Sequence, residues 1–179
     1  MSERKYVAYV GSYTHGSSKD GIHCYDVCVE KGPLTERSGV EVSNASHTAI
    51  SKNSRYLYSI EYEGVAVFER DSEGDLSRIN SVNIDGMRGC YLATDVDGKY
   101  LYVAGYHDGK VTVVHTHQDG RLGSLMDGVF HKGLGSVAER NFRPHVNCVR
   151  PTPDNKYLCA VDNGIDQVKI YRINKRRHK

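Results

Sequence analysis

Apolar residues in this chain come in short runs that alternate with polar ones at the two-residue period of a strand with one buried face. Three of these runs repeat one motif: "SKNSRYLYSI" (51–60), "DVDGKYLYVAG" (95–105) and "TPDNKYLCAVD" (152–162). In each, a polar turn built on Asn, Asp or Gly leads into Tyr-Leu-Tyr or Tyr-Leu-Cys and then a small or apolar finish. Leu57, Leu101 and Leu158 mark the copies, 44 and 57 residues apart. "KYVAYVGSY" (5–13) reads as a fourth copy without its leading turn.

A second strand follows each copy: "GIHCYDV" (21–27), "GVAVFER" (64–70), "GKVTVVHTH" (109–117) and "DQVKIYRI" (166–173). After the first three comes a charged-Gly-x-Leu step, "KGPL", "EGDL" or "DGRL", which opens a third strand. A short apolar run, "HTAIS", "CYLATD" or "VNCVRP", precedes each of the last three copies. The unit is therefore four short strands joined by turns. The prolines at 33, 144, 151 and 153 are expected between strands, where a missing N–H does no harm. No stretch carries a 3.6-residue period; at most one helical turn is expected, over "SVAERNF" (136–142).

A repeated four-stranded unit of roughly 40–50 residues is the mark of a β-propeller blade. With strands lettered a to d from the channel outward, the chain reads b-c-d, a-b-c-d, a-b-c-d, a-b-c. The fold class expected is all-β, one open half ring of about three and a half blades over 1–179. Its units are an incomplete blade at 8–41, blades at 46–85 and 89–130, and an incomplete blade at 145–173.

Antiparallel succession puts the d-to-a connections and the b-to-c turns on one rim. Ahead of strand a stand "NASH" (44–47), "MRGC" (87–90) and "RNFRPH" (140–145); after strand b stand "EYEG" (61–64), "GYHDG" (105–109) and "DNGID" (162–166). Candidate chemistry gathers there. His145 and Arg143 are the candidates for catalysis, and Arg140, Asn44, Glu61, Tyr106, Asp162 and Asp166 for substrate binding. Histidine takes a proton near neutral pH, and guanidinium makes a bidentate clamp for an anion. Plainer readings stand beside these. Asp108-Gly109 and Asn163-Gly164 are first of all hairpin turns, and Asp162 and Asp166 can bond their own backbone. His47 and His107 suit solvated or packed positions, and His115 and His117 one face of a strand. The other rim holds only "SKNS", "DVDG" and "TPDN", expected to do nothing beyond turning.

Composition narrows the picture further. Lys+Arg 24 against Asp+Glu 22 leaves a net charge of +2, no footprint for nucleic acid, and the basic run at 175–179 reads as a solvated tail. No apolar stretch reaches the length of a membrane span, and "MSERKYVAYV" lacks the core of a signal peptide, so a cytoplasmic protein without membrane partners is expected. The five cysteines form no CxxC pair and no zinc spacing; they are expected as free thiols, with no metal and no cofactor.

The quoted rim and strand segments, "YVGSYT", "NASHTAISKNSRYLYSIEYEGVAVFERD", "YHDGKVTVV" and "RPHVNCVRPTPDNKYLCAVDNGIDQVKIY", together resemble the lactonase family of seven-bladed propellers, the 6-phosphogluconolactonase type. The resemblance covers the N-terminal half of such chains. It implies metal-free hydrolysis of an anionic sugar lactone by a rim histidine with arginines and a glutamate, some of them from later blades. Carried over, Arg143 and His145 fall in the matching segment, with Asp162 and Asp166 in the turn that follows. In many relatives this segment reads His-x-His; here the second position is Asn147. Two other roles are weighed: a non-catalytic binding scaffold, and a half ring that completes itself as a homodimer through its open blade edges.

Overall fold

The computed structural model describes residues 6–14, 19–137 and 141–174. β1 (Tyr6–Gly11), β2 (Asp20–Val27) and β3 (Leu34–Glu41) form the first sheet. β4 (Thr48–Ile50), β5 (Tyr56–Glu61), β6 (Gly64–Arg70) and β7 (Leu76–Asn83) form the second. The third holds β8 (Tyr91–Thr94), β9 (Tyr100–Gly105), β10 (Lys110–Thr116) and β11 (Leu122–Phe130). The fourth holds β12 (Val146–Pro151), β13 (Tyr157–Asp162) and β14 (Gln167–Arg172).

Every pairing is antiparallel between consecutive strands, and no helix occurs among the described residues. The inner strands β4, β8 and β12 lie against one another around the channel, so the chain is an open half ring of three and a half blades. Within "SVAERNF", the Asn141 amide bonds the Val137 carbonyl at 2.8 Å, the spacing of one helical turn; residues 138–140 lie outside the described residues. Pro151 closes β12 rather than standing between strands. Its place on an inner edge strand makes the missing N–H harmless.

The repeated motif stacks the blades. Side chains alternate across a strand, so the Leu of Tyr-Leu-Tyr and its flanking Tyr residues face opposite neighbours. Leu57 packs with Ile22 and Val42 of the first blade, Leu101 with Tyr58 and Ile60 of the second, and Leu158 with Tyr102 and Val111 of the third. Each Leu thus points at the preceding blade. Tyr56 and Tyr58, then Tyr100 and Tyr102, point at the following one. In the last blade Tyr157 and Cys159 take that second place with no further blade packed beyond them among the described residues, and Val168 and Ile170 stand 60% and 66% exposed.

Three apolar layers result, one between each pair of blades. Burial of each large side chain in them contributes about 1.5–3 kcal/mol.

The rim opposite the candidate site does more than turn. Asp95 accepts the amides of Lys99 and Tyr100 at 2.6 and 3.1 Å, and its other oxygen accepts the Asn155 side-chain amide at 3.1 Å. Asn155 belongs to the equivalent turn of the next blade, so the expectation of turns without a further task is corrected: these turns bolt blade to blade.

The stacking direction gives a test by urea unfolding. Leu101→Ala should cost about 2–5 kcal/mol, and Ile170→Ala less than about 1 kcal/mol. Equal losses at the two positions would mean that the Ile170 face is covered in solution.

Candidate functional site

Two hairpin loops grip the segment ahead of β12. The loops 106–109 and 163–166 join β9 to β10 and β13 to β14 with four residues each. Their left-handed residue comes last in both, Gly109 (φ 64) and Asp166 (φ 56). A Cβ at Gly109 would stand 2.6 Å from the Pro144 side chain; one at Gly164 would overlap the Arg143 carbonyl and stand 2.6 Å from the His145 nitrogen. Only glycine lets the backbones meet so closely.

His145 is thereby wedged into the rim at 8% exposure. Its Nδ1–H donates to the Tyr106 carbonyl at 2.7 Å, and its ring stacks on the Tyr106 ring with centroids 4.3 Å apart and planes 18° apart. A carbonyl can only accept, so the neutral ring carries its proton on Nδ1 and its lone pair on Nε2. Nε2 has no partner among the described residues and is not sealed from solvent. Arg143, two residues before, is exposed; its guanidinium rests 5.6 Å from the Phe142 ring centroid and forms no ion pair among the described residues.

Asp162 stands behind His145 rather than beside a substrate. It is 1% exposed, and its Oδ1 accepts the amides of His145 and Gly164 at 2.8 and 3.0 Å. Its Oδ2 accepts Nδ1–H of His131 at 2.7 Å, and His131 Nε2 accepts the Tyr171 hydroxyl at 2.8 Å. The side chains of His131 and Asp162 are both sealed from solvent. Burial pushes the His131 pKa down against the opposing pull of Asp162, and burial pushes the Tyr171 hydroxyl up.

The remaining candidates are spread out and already engaged. Asp166 accepts the Ser136 hydroxyl and amide at 2.6 Å each and the Asn141 side chain at 2.8 Å; these bonds, the Ser136 hydroxyl first, hold its carboxyl below the usual range. It fastens the segment leading to Arg143. Glu61 pairs with Arg78 at 2.7 Å. Asn44 is left-handed (φ 56), with its amide on Thr14 Oγ1 at 3.2 Å. Tyr106 is the candidate that touches His145 directly. Arg140 lies outside the described residues.

His47 is packed: its Nδ1 accepts the Leu92 amide at 3.2 Å, its ring lies tilted against Tyr91 with centroids 4.2 Å apart, and burial lowers its pKa. No group of three or more His, Cys, Asp or Glu side chains is placed to hold a metal among the described residues. Asn147 falls at a register shift in β12 between Val146 and Cys148, paired with no residue of β13, and is exposed.

Sequence reasoning missed His131 and Tyr171. Their partners lie 31 and 40 residues away, so neither belongs to the repeat or to any local pattern.

The family model described as lactonase, 7-bladed beta-propeller matches residues 7–179. The chain belongs to this lactonase family. The 6-phosphogluconolactonase of Bacillus subtilis (strain 168) is 37% identical over 175 residues, covering 94% of this chain and 50% of its own. The 6-phosphogluconolactonase of Formosa agariphila is 28% identical over 174 residues, 93% of this chain and 49% of its own. The solved periplasmic gluconolactonase of Pseudomonas aeruginosa superposes with a TM-score of 0.85 at 28% identity, over 94% of this chain and 50% of its own. The chain spans about half the length of the curated relatives it matches. No helix among the described residues is long and apolar enough to cross a membrane.

Two histidines, His131 buried and His47 half-buried, give this lactonase-family half ring a pH signature. The His47 and His131 pKa values are both lowered from 6.5 in the folded chain, so the unfolded chain binds protons that the folded one refuses. Their contribution is complete above pH 6.5 and is lost as pH falls through the window below it, by at most about 1.4 kcal/mol per pH unit for each ring and less for the half-buried His47. Urea midpoints measured from pH 7 down to about 5 should fall, and His131→Asn should flatten the slope. An unchanged slope in that variant would contradict the assignment.

Proposed function

We propose that this chain supplies half of the site of a sugar-lactone hydrolase, acting on an anionic lactone with 6-phosphogluconolactone the preferred substrate. The observation that carries the reading is His145, whose Nδ1–H is committed to the Tyr106 carbonyl while Nε2 is left as a proton acceptor; Arg143, two residues before it, is exposed and forms no ion pair among the described residues. In this reading Arg143, with Arg140 beside it in sequence, pairs with the substrate phosphate. His145 Nε2 takes a proton from water as the oxygen attacks the lactone carbonyl. The acyl C–O bond breaks, the ring oxygen leaves and is protonated, and the product is the open hydroxy acid. Tyr106 orients the base, Asp162 braces it from behind, Asp166 fastens the segment leading to Arg143, and Asn44 and Glu61 lie further along the same rim. A product of this kind would enter the pentose phosphate route, and we place the protein in the cytoplasm, although one structural relative is named periplasmic.

A second reading rests on the ends of the half ring. Val168 and Ile170 at one end, and Tyr6 and Val10 at the other, are exposed. Three and a half blades taken twice make seven, so a second copy is a fitting occupant for these faces. Light scattering should return twice 20.0 kDa if this holds, and 20.0 kDa if it does not.

The chemical test follows lactone hydrolysis above its spontaneous background. A lone half ring leaves a bound anion in water, where charge pairing is weak, so slow turnover is expected. His145→Ala should return it to background, and Arg143→Ala should raise KM. Turnover indifferent to His145→Ala would overturn the assignment. A gain in Asn147→His alone would move the base to position 147.

A further inference from the structure

Asp162 takes two backbone amides on one oxygen and the His131 N–H on the other, within a volume closed to water. The first oxygen keeps the His145 amide only while the second is also satisfied. Remove the His131 donor, and a buried carboxylate must turn to find another. His131 is itself tied to the rim, since its amide donates to the Gly109 carbonyl at 2.9 Å, in the loop that presses on Pro144. Tyr171, from β14, completes the chain by donating to His131 Nε2. The outer strand of one blade and the last strand of the next thus converge on the backbone of a single rim histidine.

We propose that His131 and Tyr171 are positioning residues for His145, acting through Asp162, and that the relay holds only while His131 is neutral. The proposal rests on the reading of His145 as the base. An imidazolium at 131 would place a proton on Nε2, facing the Tyr171 hydroxyl that now donates there, and the half-buried hydroxyl would lose this acceptor and have to turn. The charged and titratable groups facing His131 are Asp162 on β13 with Lys169 and Tyr171 on β14. Burial keeps the ring neutral at ordinary pH. Protonation of His131 therefore loosens His145 through Asp162.

The experiment compares His131→Leu, His131→Asn and Tyr171→Phe with the parent chain. Asn presents an N–H where His131 Nδ1–H stands, so it restores the bond to Asp162 without a group that titrates. One readout is the backbone amide proton resonance of Gly164, bonded to the same Asp162 oxygen as the His145 amide, followed by NMR from pH 7.5 downward. The other is the split between kcat and KM for lactone hydrolysis. In His131→Leu the resonance should shift and kcat should drop about tenfold with little change in KM, the size of effect that misplacing a base produces. His131→Asn should recover both and lose the acid transition of the resonance that the parent shows. Tyr171→Phe should move that transition. A folded His131→Leu with the parent's resonance and kcat would overturn the proposal, as would an acid transition persisting in His131→Asn. Should no form hydrolyse lactones, the proposed function fails and the resonance alone decides the positioning. Should His131→Leu not fold, the pH behaviour of the other two variants decides it.

Discussion

A carboxylate sealed from water is costly to ionise unless donors surround it, and Asp162 is surrounded. Two amides and an imidazole converge on its oxygens. Because those donors come from the end of β11, the start of β12 and the hairpin after β13, one charge locks three pieces of backbone into one geometry. Asp95 plays the matching part on the opposite rim, where it joins its own turn to Asn155 in the next blade. Between these two pins the blades are held by apolar layers, which resist separation and carry little directional information. The carboxylates supply the direction.

The candidate site sits where that direction is set. Stacking by the Tyr-Leu-Tyr motif brings successive inner strands together and delivers the d-to-a segments to one rim. Glycine at 109 and 164 then allows the loops to close on Pro144 and His145. The Tyr106 carbonyl chooses the tautomer, leaving Nε2 as the nitrogen able to take a proton. The described strands do not enclose this rim. The end faces of the half ring are exposed, and the rim that holds Arg143 and His145 is open on the side where further blades would stand. The chain belongs to the lactonase family, and its rim carries a histidine fixed in one tautomer with an exposed arginine two residues before it.

Much of the architecture was legible because it depends on local, periodic signals. Period-two alternation, the thrice-written motif and the Gly-containing turns gave the strand order and left the half ring as the only consistent count. The rim was legible as well, since strand direction alone decides which connections share an end. The tasks of individual rim residues were not. Asp162 and Asp166 read alike in "DNGID", yet one is buried behind His145 and the other is spent at the surface on Ser136 and Asn141. That difference arises from partners 17 to 31 residues away, which composition and spacing do not encode. The register shift at Asn147 was hidden for the same reason: nothing in "VNCVRP" distinguishes a bulged inner strand from the regular β4 and β8.

The central claim is that the rim histidine is held by its backbone as firmly as the core, through a buried carboxylate. Native-state hydrogen exchange at the amides of His145 and Gly164 measures that directly. The account predicts that both exchange only through openings as costly as those exposing Val103 in the buried strand β9. Exchange at the rate of solvent-exposed turn amides would show that Asp162 does not hold them, and the account of the site would be wrong.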